Sequence, residues 1–415
     1  MAQYAFRAKV QVVKMGDKQG YCITTQRLRL RCKHPEWLQQ TQEFYNQIIR
    51  FYYDLLLEHP ELWKMNTQQT LRELEVLSLP GREKREPETP LPWEKVPLYF
   101  RRAAINAGIA AAKSHVSREQ TMPGRKAQSF NSAVVYYKGM YRDFTSEEII
   151  LKVWDGERWQ WLRCRLYGRK FSEDAVIMSP SVVFEHEFLM LHVPVKEVTC
   201  DTSTVKERME KGRNVCGVQF TNGDAFAVAS ISDESGREIA VRFFKGGKAY
   251  SHHCQKLLEK IAKSEKSLGE VDTGQPNKKY WMHLKHLADY HAHKISREIV
   301  AFCEENDAAV IAVPKFNEDY SRYVMYSSGN WSPIHLSTRI REYLSYKSWK
   351  AGMIVIEVNA RGIGSVCAGC GGKINSVDRK TGEYVCENGH RGNRFLNFAR
   401  NVSRKCLIQF GKQVG

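Results

Sequence analysis

Three cysteines and one histidine near the C-terminus have the types and spacing of a metal site. Cys367 and Cys370 are separated by two residues and are followed by two glycines. Cys386 and His390 follow further along the chain. Thiolate and imidazole are ligands that zinc prefers, and a structural site needs four of them. The spacing predicts a small ribbon that binds Zn²⁺ through these side chains. The alternative is a ribbon that has lost its metal, because a usual ribbon carries a second Cys-x-x-Cys pair.

The charge of the chain favours a polyanionic partner. Lys and Arg number 63 against 46 Asp and Glu, a formal net charge of +17, and the 9 Trp and 19 Tyr offer stacking surfaces. Such a surplus attracts nucleic acid, and aromatic rings suit single strands and heteroduplexes. No apolar run approaches the roughly 20 residues of a membrane span, and the N-terminus has no signal-peptide pattern. We therefore expect a cytoplasmic protein that binds nucleic acid and no membrane.

The N-terminal half predicts two strand-rich blocks separated by helices. Short alternating strands fill residues 1–32, and a helix begins at Pro35. A second helix is predicted from Tyr99 to His115, and antiparallel strands follow over 132–198. The Asp155-Gly156 pair indicates a hairpin whose tryptophans pack in the sheet, with stacking on RNA as an alternative for one of them. Because the two blocks are alike in type, we expect one barrel interrupted by the helices.

The C-terminal half predicts a mixed α/β domain. Apolar runs bounded by turn residues indicate strands, and apolar residues at helical spacing indicate helices. In chain order the predicted elements are strands 215–220, 226–230 and 238–243, a helix 284–302, a strand 308–313, a helix 336–349 and a strand 353–358.

A specific order of short motifs marks this half. A Gly-Val-x-Phe strand precedes His293-Lys-Ile-Ser296 and a buried strand, Tyr346-Lys-Ser-Trp-Lys-Ala-Gly352 leads into the cysteine pair, and Asn397-Phe-Ala-Arg-Asn401 follows the ribbon. Over about 214–410 this order resembles the RuvC-like nuclease domain of TnpB proteins and their descendants, the compact type V CRISPR effectors. The N-terminal resemblance is one of architecture.

The resemblance implies an α/β multidomain protein. A RuvC-like (RNase H-like) mixed-sheet domain would carry the zinc ribbon as an insertion, and an N-terminal β-barrel wedge domain would be interrupted by a helical recognition domain. The implied boundaries are 1–32 and 131–205 for the wedge domain, 33–130 for the recognition domain, 206–361 and 393–415 for the RuvC-like domain, and 362–392 for the target-nucleic-acid-binding ribbon.

The resemblance also implies three metal-binding acids, and none of the three aligned positions is acidic. Family nucleases hold two divalent ions on one carboxylate from each of three segments, because Mg²⁺ prefers oxygen ligands. Where the family has Gly-Ile-Asp-Leu-Gly, this chain has Gln219, and Pro314 replaces the Glu of the second strand. Phe395 replaces the Asp of the third motif. We expect no catalytic Mg²⁺ and no nuclease activity.

Displaced acids would be needed to rescue cleavage. Asp224 lies five residues after Gln219, and Glu318 and Asp319 follow Phe316. No acidic residue follows His390, so a third ligand would have to come from elsewhere.

Basic residues are candidates for contacts with nucleic acid. A solvated helix face explains each of them equally well when taken singly. Lys315 stands beside the second aligned position, and we expect it to pair with the phosphate that the metal would otherwise neutralise. The predicted contacts are Arg101, Arg102, Lys113, Arg118, Arg297, Lys315, Arg339, Arg341, Lys347, Lys350, Arg391 and Arg394.

These inferences predict a guide-RNA-dependent DNA-binding protein that does not cut. It would bind target double-stranded DNA beside a short flanking motif, hold an RNA–DNA heteroduplex and act by occupancy, as in transcriptional repression or silencing. The alternatives are an active RNA-guided endonuclease with rearranged acids and a zinc-ribbon transcription factor without RNA. Whether two copies share one guide stays open.

Overall fold

The computed structural model divides the chain into two compact units. One unit comprises Ile23–Glu197, and the other comprises Met1–Cys22 with Val198–Gly415. The structure describes residues 20–81, 86–121, 129–171, 175–185, 188–199, 201–268, 277–316, 322–323, 326–327, 331–378 and 381–411. The strands predicted before residue 20 lie outside these ranges.

The strands before and after the first helices form one eight-stranded sheet. The strands are β1 (Tyr21–Cys32), β2 (Val134–Val135), β3 (Tyr141–Arg142), β4 (Glu148–Trp154), β5 (Trp159–Tyr167), β6 (Val176–Ile177), β7 (Ser181–Glu185) and β8 (Phe188–Val198). Their order is β2-β7-β8-β1-β5-β4-β3, and β6 pairs with β8. Strand β1 pairs antiparallel with β5, and Cys32 lies opposite Cys164. This pairing confirms that the two predicted blocks belong to one sheet, but β2 and β3 do not pair with each other among the described strands, so closure of the predicted barrel stays a prediction.

Three helices lie between β1 and β2 in the sequence. They are α1 (Pro35–Glu58), α2 (Thr67–Ser78) and α3 (Leu98–Thr121). The predicted apolar stripe of α1 is buried in a core that this unit's sheet shares. Helices α1 and α3 approach closely at Gly108, where an added Cβ would lie 3.1 Å from the carbonyl oxygen of Ile49. Helix α2 was not predicted, although Asn66 and Gln69 form a capping box at its start.

The other unit contains a five-stranded sheet, and all five strands were predicted. They are β9 (Asn214–Phe220), β10 (Ala225–Ser232), β11 (Glu238–Lys245), β12 (Ala308–Lys315) and β13 (Ile354–Asn359). Their order is β11-β10-β9-β12-β13. Strands β9 to β11 are antiparallel, and β12 runs parallel to both β9 and β13.

Helices cover both faces of this sheet. They are α4 (Val205–Glu210), α5 (Gly247–Leu268), α6 (Lys278–Glu305), α7 (Ser337–Lys350) and α8 (Arg394–Gln409). Residues Cys216, Val218 and Val313 pack in one core with α5, α6 and α7. The alternate residues Val215 and Ala312 pack in a second core with α8. Because successive side chains of a strand point to opposite faces of the sheet, α6 packs against one set of strand residues and α8 packs against the alternate set.

The ribbon is a small third sheet, β14 (Ile374–Val377), β15 (Glu383–Cys386) and β16 (Arg391–Asn393). It follows β13 and leads directly into α8. Within the described ranges no helix is long and apolar enough to cross a membrane.

Candidate metal centre and nuclease-like site

The four predicted zinc ligands come together at one end of the ribbon. The ligand atoms of Cys367, Cys370, Cys386 and His390 all lie within 4.8 Å of one another. The sulfur atoms of Cys370 and Cys386 are 3.7 Å apart, and the Cys386 sulfur is 3.6 Å from Nδ1 of His390. Tetrahedral zinc with bonds of about 2.3 Å separates its sulfur ligands by about 3.8 Å. The donor set and its spacing therefore fit structural Zn²⁺.

Two tight backbone loops present these ligands. In the first, the Gly371 N–H donates to the Cys367 carbonyl at 2.8 Å, and the Cys367 N–H donates to the Gly372 carbonyl at 2.8 Å. In the second, the Cys386 N–H donates to the His390 carbonyl at 3.0 Å. Gly371 and Gly389 have φ values of +71° and +79°, which suit glycine. The second loop thus presents His390 as the fourth candidate ligand, where a usual ribbon has a cysteine.

Hydrogen bonds prepare two of the thiols for deprotonation. Burial raises the pKa of Cys367, but the Tyr384 hydroxyl and backbone N–H groups outweigh it and the pKa is lowered. Asn388 donates to the Cys370 sulfur at 3.4 Å and lowers the pKa of that thiol. Burial raises the pKa of Cys386. Because the thiolate is the form that binds a metal, the lowered pKa values of Cys367 and Cys370 favour metal binding by the first loop.

Helix α8 holds the first loop of the ribbon. The buried Asn397 side chain accepts from the Ala368 N–H at 2.7 Å and donates to the Val366 carbonyl at 2.8 Å. Asn401 donates to the same Val366 carbonyl at 2.9 Å, and Arg404 donates to the Ala368 carbonyl. The Asn397–Asn401 motif is therefore a clamp between helix and ribbon, a role that the sequence did not reveal.

Two of the three positions that the resemblance pairs with metal-binding acids, Gln219 and Pro314, lie on the sheet face that meets α8. Gln219 follows Gly217 on the side that meets α8, where an added Gly217 Cβ would overlap the Ala399 carbonyl. Pro314 follows Ala312, which packs in the core shared with α8. Phe395 lies in the first turn of α8. Because β9 and β12 are parallel and both positions are next to last in their strands, they lie at the same edge.

The side chains at these positions offer no charge to a metal. The Gln219 Oε1 is buried and, within the described part of the chain, accepts no hydrogen bond. Proline and phenylalanine have no ligating atoms. On the same face Glu238 is bound by Arg400 at 2.6 and 2.8 Å and by the Ser230 hydroxyl at 2.8 Å. The Arg400 hydrogen bonds lower the pKa of Glu238.

Of the displaced acids, Asp224 is exposed in the turn between β9 and β10. Glu318 and Asp319 lie outside the described residues.

Two family models and several solved structures match the chain. Residues 338–402, from α7 through the ribbon into α8, match the Cas12f1-like TNB domain. Residues 22–155 match the Aq_aa04 family. The cryo-EM complex of Cas12f1 with single-guide RNA and target DNA superposes with a TM-score of 0.58 at 13% identity, covering 89% of this chain and 81% of that one. The chain has a compact type V, TnpB-like fold.

A second structure supports the same type V fold. The mini-RNA-guided endonuclease CRISPR-Cas_phi3 superposes with a TM-score of 0.60 at 8% identity, covering 93% of this chain and 92% of that one. No curated protein matches the chain significantly. The fold resemblance inferred from the motif order is thereby confirmed.

In this type V fold, Lys315 extends from the sheet face opposite Gln219. Its Nζ lies 3.6 Å from a Glu357 carboxylate oxygen. Arg341 lies beside the same carboxylate at 3.9 Å, donates to the Pro314 carbonyl at 2.9 Å, and covers the Phe220 ring at 5.2 Å. Burial lowers the pKa of Arg341. The phosphate contact predicted for Lys315 stays a prediction, for a ligand that would approach from this other face.

The basic residues of α6 and α7 form a second group. Lys347 donates to the His293 carbonyl and to the Ser296 hydroxyl, both at 2.7 Å, and burial beside Arg297 lowers its pKa to about 8. Arg339 pairs with Asp289 at 3.0 Å. Lys350 and Arg391 are exposed, and Arg394 covers the Phe395 ring at 4.5 Å. The described contacts are intramolecular, so the predicted contacts with nucleic acid stay predictions.

In the N-terminal unit, Arg101 and Arg102 converge on one carboxylate. Their guanidinium groups lie 3.2 and 2.9 Å from Glu75 of α2. Lys113 and Arg118 follow along α3, where Arg118 donates to the Ser114 carbonyl at 3.1 Å. Glu75 was not predicted as their partner because α2 was not among the predicted helices.

Proposed function

We propose that this protein binds DNA under the direction of a guide RNA, does not cut it, and acts by occupying its target. The observation that supports the proposal is that Gln219 and Pro314 lie at one edge of the sheet, on the face that meets α8, the helix that carries Phe395. The resemblance pairs these three positions with the acids that a two-metal site requires. Not one of the three supplies a carboxylate.

The absence of these charges opposes metal-dependent phosphodiester cleavage. A two-metal mechanism needs anionic oxygens that hold both cations while they clamp the attacking and leaving oxygens. A neutral amide is a weak ligand for Mg²⁺ compared with a carboxylate. Arg394 beside Phe395 adds positive charge, which further disfavours a cation there. The protein could still hold a polyanion on this surface.

Two observations support guide RNA and target DNA as partners. The net charge of +17 favours polyanions, and the structural neighbour at a TM-score of 0.58 is a complex with single-guide RNA and target DNA. In such proteins base pairing reads the sequence while the protein grips the backbone and reads a short flanking motif. A complex that stays on its target blocks other proteins there, so repression or silencing is the simplest outcome of binding without cutting.

Two measurements on the purified protein test the proposal. Sequencing of co-purified RNA should give one discrete species, and absence of RNA would instead favour a zinc-ribbon factor that binds DNA alone. Programmed with that RNA, the protein should shift a matched DNA duplex and leave a matched plasmid uncut with Mg²⁺ or Mn²⁺. Cleavage that is lost in Asp224→Asn would contradict inactivity and identify a rearranged site. The mass of the complex shows whether two copies share one guide.

A further inference from the structure

Two cysteines of the N-terminal unit form a close pair across neighbouring strands. Cys32 is the last residue of β1 and lies directly opposite Cys164 of β5. Residues directly opposite each other in antiparallel strands have Cα atoms about 4.5–5.5 Å apart, within the span of about 4.4–6.8 Å that a disulfide bridges. The two thiols are hydrogen-bonded to each other and lie on the side of the sheet that packs in the core. A bond between their sulfur atoms therefore needs no movement of the strands.

The two thiols differ in exposure and in acidity. Cys32 is half-buried, whereas Cys164 is fully buried. The hydrogen bond with Cys164 lowers the pKa of Cys32, and the His34 N–H at the start of α1 adds to this effect. Burial and the nearby Glu36 carboxylate oppose the lowering without reversing it. The hydrogen bond and burial raise the pKa of Cys164. Because the thiolate is the nucleophilic form, the accessible member of the pair is the reactive one.

A buried hydroxyl group lies beside this pair. Tyr136 is 1% exposed, and within the described residues its hydroxyl has no hydrogen-bond partner. Burial raises the pKa of Tyr136, and the charges of Cys164 and Cys32 raise it further, which places the hydroxyl within electrostatic reach of both sulfurs. The hydroxyl therefore keeps its proton and can donate it in a hydrogen bond to a negatively charged sulfur or oxygen that forms at the pair.

A second cysteine pair, in the other unit, lacks these features. Cys216 of β9 and Cys303 of α6 are hydrogen-bonded to each other, but both are fully buried. The hydrogen bond and burial raise the pKa of Cys303. Structural cysteines in such surroundings are inert, so closeness of two thiols alone does not make a reactive site. The second pair is therefore an internal control for the first.

We propose that Cys32 reacts with hydroperoxides and that Cys164 resolves the product to a disulfide. The Cys32 thiolate attacks one peroxide oxygen, the O–O bond breaks, and the other oxygen leaves as hydroxide or alkoxide, which takes a proton from water. Cys32 is then a sulfenic acid. The Cys164 sulfur displaces its hydroxyl group, which leaves as water with the Cys164 proton, and the S–S bond forms. Two thiols are oxidised and one hydroperoxide is reduced, while Tyr136 donates to the departing oxygen.

The disulfide would join the strand that leads into α1 to β5, and it would enclose α1, α2 and α3 in one covalent loop. Thiol exchange reverses an accessible disulfide, so the modification is one that reductants remove. Where disulfides form in a reducing compartment, they are usually transient and redox-sensing. The inference does not depend on the guide-directed function.

The test follows the cysteines of the folded, zinc-supplemented full-length protein during treatment with hydrogen peroxide, with glutathione in the same solution as a reference thiol. The remaining thiols are then alkylated and the protein is mapped by mass spectrometry of non-reduced peptides. We expect a cross-linked product that contains Cys32 and Cys164 and disappears with dithiothreitol. Cys216 and Cys303 should stay reduced. Peptide mapping reads oxidation at the ribbon separately.

Variants assign the role of each residue. Cys164→Ser should stop the reaction at a sulfenic acid on Cys32, which dimedone traps, and Cys32→Ser should give neither the trapped product nor the cross-link. Cys216→Ser is the matched control and should leave the cross-link unchanged. Tyr136→Phe removes a buried hydroxyl that has no partner, and it should slow oxidation of Cys32 on the order of 10-fold, the effect of one hydrogen bond to a charged group.

Three results would overturn the inference. One is a wild-type protein without the cross-link when the glutathione beside it is fully oxidised. Another is oxidation of Cys216 and Cys303 at the same rate as Cys32, because that would show general oxidation of an opened chain. A third is dimedone trapping on Cys164 in place of Cys32. An unchanged rate in Tyr136→Phe would overturn the part assigned to that hydroxyl.

Discussion

The ribbon and the sheet face that meets α8 are joined by one helix yet differ in the ligands that they offer. At the ribbon, α8 holds a complete set of three thiols and an imidazole through Asn397. On the sheet face, the buried Gln219 oxygen has no hydrogen-bond partner within the described residues, and Phe395 lies in the first turn of the helix. The ribbon therefore presents a full set of metal ligands, whereas Gln219 and Phe395 offer no carboxylate.

Removing a ribbon ligand should have the largest effect. Cys386→Ser should abolish binding of one equivalent of zinc and unfold the ribbon, because structural zinc contributes on the order of 10 kcal/mol to small domains. Metal content and proteolysis of the 362–392 segment check the prediction. Cys32→Ala, which removes a cysteine distant in the sequence, should keep the zinc. A Cys386→Ser protein with full zinc content would show that the four residues are not the ligand set.

The clamp between ribbon and helix comes next. Asn397→Ala leaves the Ala368 N–H without its buried acceptor and removes one of the two donors to the Val366 carbonyl, so we expect a loss of about 1–3 kcal/mol in the free energy of unfolding. Asn401→Ala removes two donated bonds at a less buried site and should cost less. Denaturant unfolding measures both. An equal cost for the two variants would contradict the central role of Asn397.

Replacing Gln219 on the sheet face that meets α8 should not destabilise the protein, in contrast to the Asn397 replacement. Gln219→Met removes a buried oxygen that lacks a partner, and we expect no loss or a gain of about 1 kcal/mol in stability. Gln219→Asp should destabilise the protein at neutral pH, because burial raises the pKa of an unpaired carboxyl. That penalty should be small at low pH and grow as pH rises through the raised pKa. Plasmid cleavage by Gln219→Asp would show that one acid suffices and break the comparison.

The smallest effect concerns Glu238, a carboxylate on the same face. Arg400 lowers its pKa, so its stabilising contribution is present above the unfolded-state pKa and is lost as pH falls through the folded-state value. Both partners are about one-third exposed, so Glu238→Gln should cost only about 1 kcal/mol at neutral pH. Unfolding curves of the two proteins should converge in acid. A constant difference at all pH values would exclude an ionic contribution.

The sequence alone predicted elements whose signal is local. The zinc ligands follow from spacing, and the strands of the second sheet follow from apolar runs. Helix α5 was missed although Tyr250, Cys254, Leu257 and Ile261 are buried at helical spacing along it. Helix α2 was not predicted because its residues are mostly polar, although Leu71, Leu74 and Leu77 recur at helical spacing after its capping box. Both helices therefore carry a local signal in the sequence.

Other features were decided only by tertiary structure. The sequence showed that Gln219, Pro314 and Phe395 are not acidic, but the parallel pairing of β9 and β12 put Gln219 and Pro314 at one edge, and α8 packs on the face that carries both. The same alternation turned Lys315 to the other side, toward Glu357. Residue types and spacing determine which ligands and charges a chain can offer. Which of them meet depends on which face each helix covers, and that is set by long-range packing that no single segment encodes.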